Sequence, residues 1–322
     1  MLIKIILVFA VLLCLFVLIM RYENSALTTT DYEVCSARVP KEADGTKFVV
    51  IADLHNNQFG EKNCRLLRKI DELAPDFIIV AGDLFIGKEY NFDIAYEFLK
   101  ETSKKYAVFY SYGNHEQKVE QYELLQANSH WNVKAKNRTD SRRDTRQIKT
   151  FSEYKEMIRE LGVHLLNNEG VLYPTGKNTC LRIFGGTIDL EYFKRIKRPE
   201  MTCNYLNSCF GEGTCKEYQI LLAHNPMYFD AYANWGADLV LSGHVHGGMV
   251  RVPFVGGVVS PQMQIFPKYD AGLFTKKTKT QEASMIVSRG LGIHTFKIRM
   301  FNRPELVSVV LKSTQHEKNR KR

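Results

Sequence analysis

The chain has 322 residues, a formal net charge of +9 and a sequence pI near 9.1, a balance that favours anionic partners: phosphorylated substrates, an acidic membrane or wall polymer, or nucleic acid. No internal repeat stands out, and no Cys-x-x-Cys spacing among the seven cysteines marks a structural zinc site. The two basic segments, Lys134 to Lys149 and Lys318 to Arg322, lack the aromatic interleaving of a single-strand binding groove, so nucleic acid is not the expected partner.

Ile5 to Met20 is wholly apolar, and with Leu2, Ile3 and a snorkelling Lys4 the segment spans about 28 Å as a helix, close to the hydrocarbon thickness. Residues 1–21 are therefore expected to form an uncleaved transmembrane anchor. The rival is a cleaved signal peptide, for which Asn24-Ser25-Ala26 is the one weak cleavage candidate, and Leu13 before Cys14 does not suit a lipoprotein site. Lys4 on one side and Arg21, Arg38 and Lys41 on the other nearly balance, but so short a leading tail usually stays in the cytoplasm, which would turn the catalytic domain outward.

Residues 22–45 read as a linker or an edge hairpin, residues 46–312 as the catalytic domain, and residues 313–322 as a basic tail. Short β-branched or aromatic runs predict strands at 47–52, 77–81, 106–110, 219–223 and 237–241, with helical patterns between them at Cys64 to Leu73 and Ile94 to Lys104. Alternating strand and helix predicts an α/β core. The stretch Lys134 to Lys149, with Arg138, Arg142, Arg143 and Arg146, reads as an exposed loop; Cys203 to Cys215 reads as a second loop, able to form a disulfide in an outward-facing domain.

Each predicted strand ends in residues that bind hard or borderline cations: Asp53-Leu54-His55, Gly82-Asp83, Gly113-Asn114-His115-Glu116, His224-Asn225 and Gly243-His244-Val245-His246. In open α/β sheets such strand ends converge on one crevice. Two divalent cations about 3.5–4 Å apart can share and acidify a water and clamp a phosphorus centre, but they need a bridging anion, for which Asp83 is the candidate. Neutral imidazoles and an amide oxygen complete such a pair without overcharging it.

This ordered series resembles the calcineurin-like metallophosphoesterase superfamily at every ligand position, over roughly residues 47 to 312. The resemblance implies a four-layer αββα sandwich with two facing mixed sheets and a dinuclear metal site at the strand C-terminal ends. It assigns Asp53, His55 and His246 to one metal, Asn114, His224 and His244 to the other, and Asp83 to both. By the same resemblance His115 is a catalytic group beside the leaving oxygen, oriented by Asp53. Gly243 to Gly248, Ser288 to Gly292 and Asn302 to Glu305 further resemble a subgroup of membrane-anchored bacterial phosphoesterases.

The donor set suits two divalent ions, manganese, zinc or iron. Arg289, Arg303 and His294 are candidates to contact substrate, the arginines by gripping a phosphate oxygen. His130, His164 and His316 fall outside the series, His164 as a surface or packing residue. The expected function is a membrane-anchored, metal-dependent phosphodiesterase or phosphohydrolase acting on a phospholipid, lipid-linked or envelope phosphate ester. Alternatives are a UDP-diacylglucosamine pyrophosphatase-like hydrolase, a nuclease of the same superfamily, or an inert binding module. Oligomeric state is not legible.

Overall fold

The computed structural model of the protein describes residues 1–128, 148–213, 216–293 and 298–315. Outside the described residues lie His130, His294, His316 and Cys215, the arginines of the basic loop, and the tail Lys318 to Arg322.

In chain order the main elements are α1 (Leu2–Ser25), β1 (Thr28–Ser36), β2 (Lys47–Ile51), α2 (Cys64–Leu73), β3 (Phe77–Ala81), α3 (Asp93–Ser103), β4 (Ala107–Ser111), α4 (Asn114–Asn128), α5 (Phe151–Glu160), β5 (His164–Leu166), β6 (Glu169–Gly176) and β7 (Thr179–Gly185). They continue with α6 (Cys203–Phe210), β8 (Tyr218–Leu222), α7 (Phe229–Trp235), β9 (Leu239–Ser242), β10 (Val250–Val252), β11 (Gly256–Val259), β12 (Gly272–Lys277), β13 (Glu282–Val287) and β14 (Glu305–Ser313).

Two six-stranded mixed sheets form, ordered β1-β14-β2-β3-β4-β5 and β12-β13-β9-β8-β7-β6, with β10 and β11 as a separate hairpin. Strands β2 to β5 run parallel, as do β7, β8, β9 and β13, so their carboxyl ends share a direction within each sheet.

Alternation along the strands builds the layers. Phe48 and Val50 of β2 and Phe77 and Ile79 of β3 face Leu181, Ile183, Ile220, Leu222 and Leu239 of the second sheet, forming the core between the sheets. Val49, Ile51, Ile78 and Val80 point the other way, onto Leu66 and Ile70 of α2, Phe98 and Leu99 of α3, and Tyr154 and Ile158 of α5. On the far side, Leu221 and Val240 pack against Leu206, Phe210, Phe229, Tyr232 and Trp235 of α6 and α7. The result is the expected αββα order of layers.

Two segments differ from the sequence reading. Residues 22–45 hold neither a free linker nor a hairpin: α1 runs on to Ser25, and β1 pairs in parallel with β14 from Thr28↔Glu305 to Ser36↔Ser313. That pairing is long-range, so no local turn signal marks it. Cys203 to Phe210 is a helix and not a loop, because Thr202 caps it by accepting from Tyr205 N (3.1 Å) and Leu206 and Phe210, one turn apart, are both buried. Cys203 and Cys209 on it carry free thiols.

Candidate metal centre

The loops after β2, β3, β4, β8 and β9 meet where the two sheets' carboxyl ends face one another, and they bring six of the seven predicted donors into one largely buried cluster; the seventh, Asn114, is buried at the start of α4. Three groups of donor atoms lie mutually within 4.8 Å: Asp53, His55 and His246; His55, Asp83 and His115; and Asp83, His224 and His244. Asp83 Oδ2 is 3.0 Å from His224 Nε2 and 3.9 Å from His55 Nε2, while Asp53 Oδ1 is 3.6 Å from both His224 and His246 Nε2 and 3.7 Å from His55 Nε2. Asp83 is thus common to two groups, as is His55, and its Oδ2 lies near both His55 and His224.

The backbone is bent hard to achieve this. Asp53, His55, Asp83, His244 and His246 all have positive φ, between 47° and 72°. Non-glycine residues held there cost about 1–3 kcal/mol each, and such strain collects at functional sites. Close approach also needs small neighbours: a Cβ on Gly113 would collide with Asp83 Oδ1, and one on Gly243 with Asp53 Oδ2.

Hydrogen bonds to the far ring nitrogen fix what each imidazole presents. His224 Nδ1 donates to Ala81 O (2.7 Å) and His246 Nδ1 to Gly292 O (3.0 Å), so in the neutral ring each turns an Nε2 lone pair inward. His115 is the reverse: its Nδ1 accepts from Gly87 N (2.9 Å), which puts the proton on Nε2, facing Asp83 Oδ2 at 4.0 Å. Proximity groups His115 with the ligand-type residues, but its tautomer makes it a donor.

Charge in the cluster is unbalanced. Burial pushes the Asp53 carboxyl up to about 7, helped by the Asp83 charge and opposed by His224. Burial acts on Asp83 as well, yet His224, His115 and His55 outweigh it and hold this carboxyl well below the usual range. His224 in turn overcomes its own burial through Asp83 and Asp53, which lift it to about 10. The Asn114 side-chain oxygen is buried with no hydrogen-bond partner. Two buried carboxylates, inward lone pairs and an orphaned amide oxygen fit a pair of divalent cations.

Three supporting residues carry no role in the sequence reading. Glu116, fully buried, accepts from the backbone N–H of Asp83 (3.0 Å), Leu84 (2.9 Å) and Gly113 (2.9 Å) and from Tyr110 Oη (2.7 Å), tying two donor loops to one carboxylate. Asn302 Nδ2 donates to His246 O (2.7 Å) and to Gly248 O. Arg299, also buried, donates to the carbonyls of Arg289, Gly290 and Gly292 (3.1, 3.1 and 2.7 Å). The place of Glu116 directly after Asn114-His115 was the available signal, and for Asn302 it was the resemblance of Asn302 to Glu305 to the membrane-anchored subgroup; for Arg299 there was none beyond its polarity in a short loop.

The two candidate arginines are engaged elsewhere. Arg289 Nε donates to Glu305 Oε1 (3.0 Å) and Arg303 Nε to Glu23 Oε1 (3.0 Å). His164 lies on β5, stacked on Phe109 with ring centroids 5.0 Å apart.

A sandwich of this order, with paired carboxylates and imidazoles at facing strand ends, is that of a dinuclear-metal phosphoester hydrolase. The chain belongs to the calcineurin-like phosphoesterase family, whose pattern matches residues 46–248. It is 23% identical over 301 residues to the uncharacterized metallophosphoesterase YkuE of Bacillus subtilis, covering 91% of this chain and 88% of that one. Phosphodiesterase YaeI of Escherichia coli is 24% identical over 270 residues, 82% of each chain. The UDP-2,3-diacylglucosamine pyrophosphatase LpxG of Chlamydia muridarum is 24% identical over 304 residues, 84% of this chain and 85% of that protein.

Proposed function

We propose that this protein is a membrane-anchored phosphodiesterase or phosphohydrolase whose substrate is a phospholipid, lipid-linked or envelope phosphate ester. Asp53, His55 and His246 would hold one divalent ion, Asn114, His224 and His244 the second, and Asp83 both. The observation that carries the reading is that Asp83 Oδ2 lies 3.9 Å from His55 Nε2 and 3.0 Å from His224 Nε2, one imidazole from each proposed ligand set. Two bound cations would supply Lewis acidity, offsetting phosphoryl charge and making water a better nucleophile at neutral pH.

The chain's own residues supply the rest. Ala81 O and Gly292 O orient His224 and His246 so that their lone pairs stay inward. His115 holds a proton on Nε2, with Nδ1 accepting from Gly87 N, and would donate a hydrogen bond to the departing ester oxygen and stabilise its developing charge. Manganese, zinc and iron all suit this donor set.

The lipid or envelope setting is supported by α1, 24 residues long and exposed along its apolar length. Relatives named a phosphodiesterase and a diacylglucosamine pyrophosphatase are consistent with a diester or pyrophosphate substrate. The test is metal content and bis-p-nitrophenyl phosphate hydrolysis by the detergent-solubilised full chain beside Asp83→Ala. Metal-dependent turnover lost in the variant is expected; a protein that binds no divalent ion overturns the reading.

A further inference from the structure

Part of the domain surface is apolar without any covering element among the described residues. Phe254 is fully exposed at the tip of the β10–β11 hairpin with Val255 (60% exposed) beside it, and Ile265, Phe266, Phe301 and Ile196 are each at least 60% exposed. These side chains belong to loops that are joined. Val250 bridges to Met300, Val259 bridges to Ile265, and Arg195 Nη2 donates to Met263 O (3.4 Å). Phe301 and residues Val252 to Gly256 line one shallow concavity. Soluble surfaces do not normally gather large apolar side chains this way unless something covers them.

Charge and position indicate what does. Ile196 sits within Lys194-Arg195-Ile196-Lys197-Arg198, so cations accompany the apolar tips. Apolar side chains flanked by lysine and arginine suit the boundary of an anionic bilayer, where basic residues gain from acidic headgroups. The same face adjoins the end of α1. Arg303 is paired with Glu23 and lies over the Tyr22 ring at 5.1 Å, and Thr28 N and Oγ1 both donate to Pro304 O at 2.9 Å. Phe301 is two residues from Arg303, at most about 7 Å of chain. A helix that leaves the membrane at Arg21-Tyr22 therefore delivers this face to the membrane surface.

The same loops support the metal centre. Asn302 holds His246 O (2.7 Å) and Gln262 Nε2 donates to His244 O (2.6 Å).

We propose that the β10–β11 tip, with its apolar and basic neighbours, is a second membrane contact that inserts into the headgroup region of the bilayer holding α1 and sets the mouth of the metal centre against lipid-borne phosphate. The proposal rests on α1 being an anchor. It extends that reading by specifying how the domain lies on the lipid.

The test uses the full chain reconstituted in phosphatidylglycerol and phosphatidylethanolamine vesicles, with p-benzoylphenylalanine replacing Phe254, Phe301 or, in α1, Phe9. Retained bis-p-nitrophenyl phosphate hydrolysis establishes that each variant is folded. Light-induced lipid adducts at Phe9 and at Phe254 or Phe301 are the expected result. Adducts at Phe9 alone would leave the anchor standing and overturn the second contact, as would adducts from the two domain positions to protein in place of lipid. Absence of adducts at all three would remove both the anchor and the face.

Discussion

His115 and His224 meet Asp83 Oδ2 with opposite imidazole chemistry. The Nε2 of His224 lies 3.0 Å from that oxygen and belongs to a ring whose Nδ1 donates to Ala81 O; the Nε2 of His115 lies 4.0 Å away in a ring whose Nδ1 accepts from Gly87 N. A cation needs the lone pair that the neutral His224 ring offers, whereas the charge developing on a departing oxygen needs the N–H that His115 keeps. Two backbone groups, a carbonyl and an amide, thereby divide histidines on one carboxylate into a ligand type and a proton-donor type.

His115→Gln is accordingly expected to lower kcat by about 10²- to 10⁴-fold, the usual worth of a positioned acid, while bound metal stays at the wild-type level. Metal analysis on the same preparation used for kinetics checks this. Loss of metal in parallel with loss of turnover would make His115 a ligand, as its distance to His55 and Asp83 alone suggests.

Bound cations also bear on stability, because Asp53 and Asp83 are both buried and only imidazoles, the backbone N–H groups of His244 and His115 and, for Asp53, Arg299 offset their charge among the described residues. At a free manganese concentration one hundred times Kd the native state gains about 2.7 kcal/mol, or roughly 5–10 °C in Tm for a domain of this size. Thermal unfolding of the full chain with and without manganese should show that shift in the wild type and not in Asp83→Ala. An equal shift in both would place the stabilising ion elsewhere.

The donors were legible because their order and their place after apolar runs survive in one dimension: Phe77–Ala81 and Cys64–Leu73 form the strand and helix their periodicity predicts. What was not legible depends on distant pairing. β1 finds β14 across more than 270 residues, and α6 was hidden by the Asn, Ser and Cys content of a segment whose buried side is only Leu206 and Phe210. Residue type likewise says nothing about tautomer, which Gly87 and Ala81 decide, or about Arg289 and Arg303, whose charges are taken by Glu305 and Glu23.

Glu116 holds the Asp83 and Gly113 loops through three backbone N–H groups. Glutamine keeps the size but replaces one carboxylate oxygen with an NH₂ group that opposes those donors, at about 1–3 kcal/mol for each donor left unmet. Glu116→Gln should lower the unfolding free energy by at least that amount, read as a lower urea midpoint, and weaken metal binding, although Glu116 lies outside the proposed ligand set. Urea unfolding with a metal titration measures both, and an unchanged midpoint would mean that the loops hold their shape without it.

Gly113 separates a steric demand of the centre from general stability. Its missing Cβ would occupy the place of the Asp83 carboxylate, whereas a Cβ on Gly162, after α5, meets nothing within 4 Å although φ is +80°. Gly113→Ala must therefore push Asp83 away from His224 and His55 and should abolish both metal binding and turnover. Gly162→Ala meets only the backbone penalty of a left-handed residue, about 1–2 kcal/mol, and should cost stability while kcat stays at the wild-type value. Metal stoichiometry and bis-p-nitrophenyl phosphate hydrolysis on the pair check the contrast. A metal-replete, active Gly113→Ala protein would show that Asp83 has room to move without losing its ions, contrary to the close packing described.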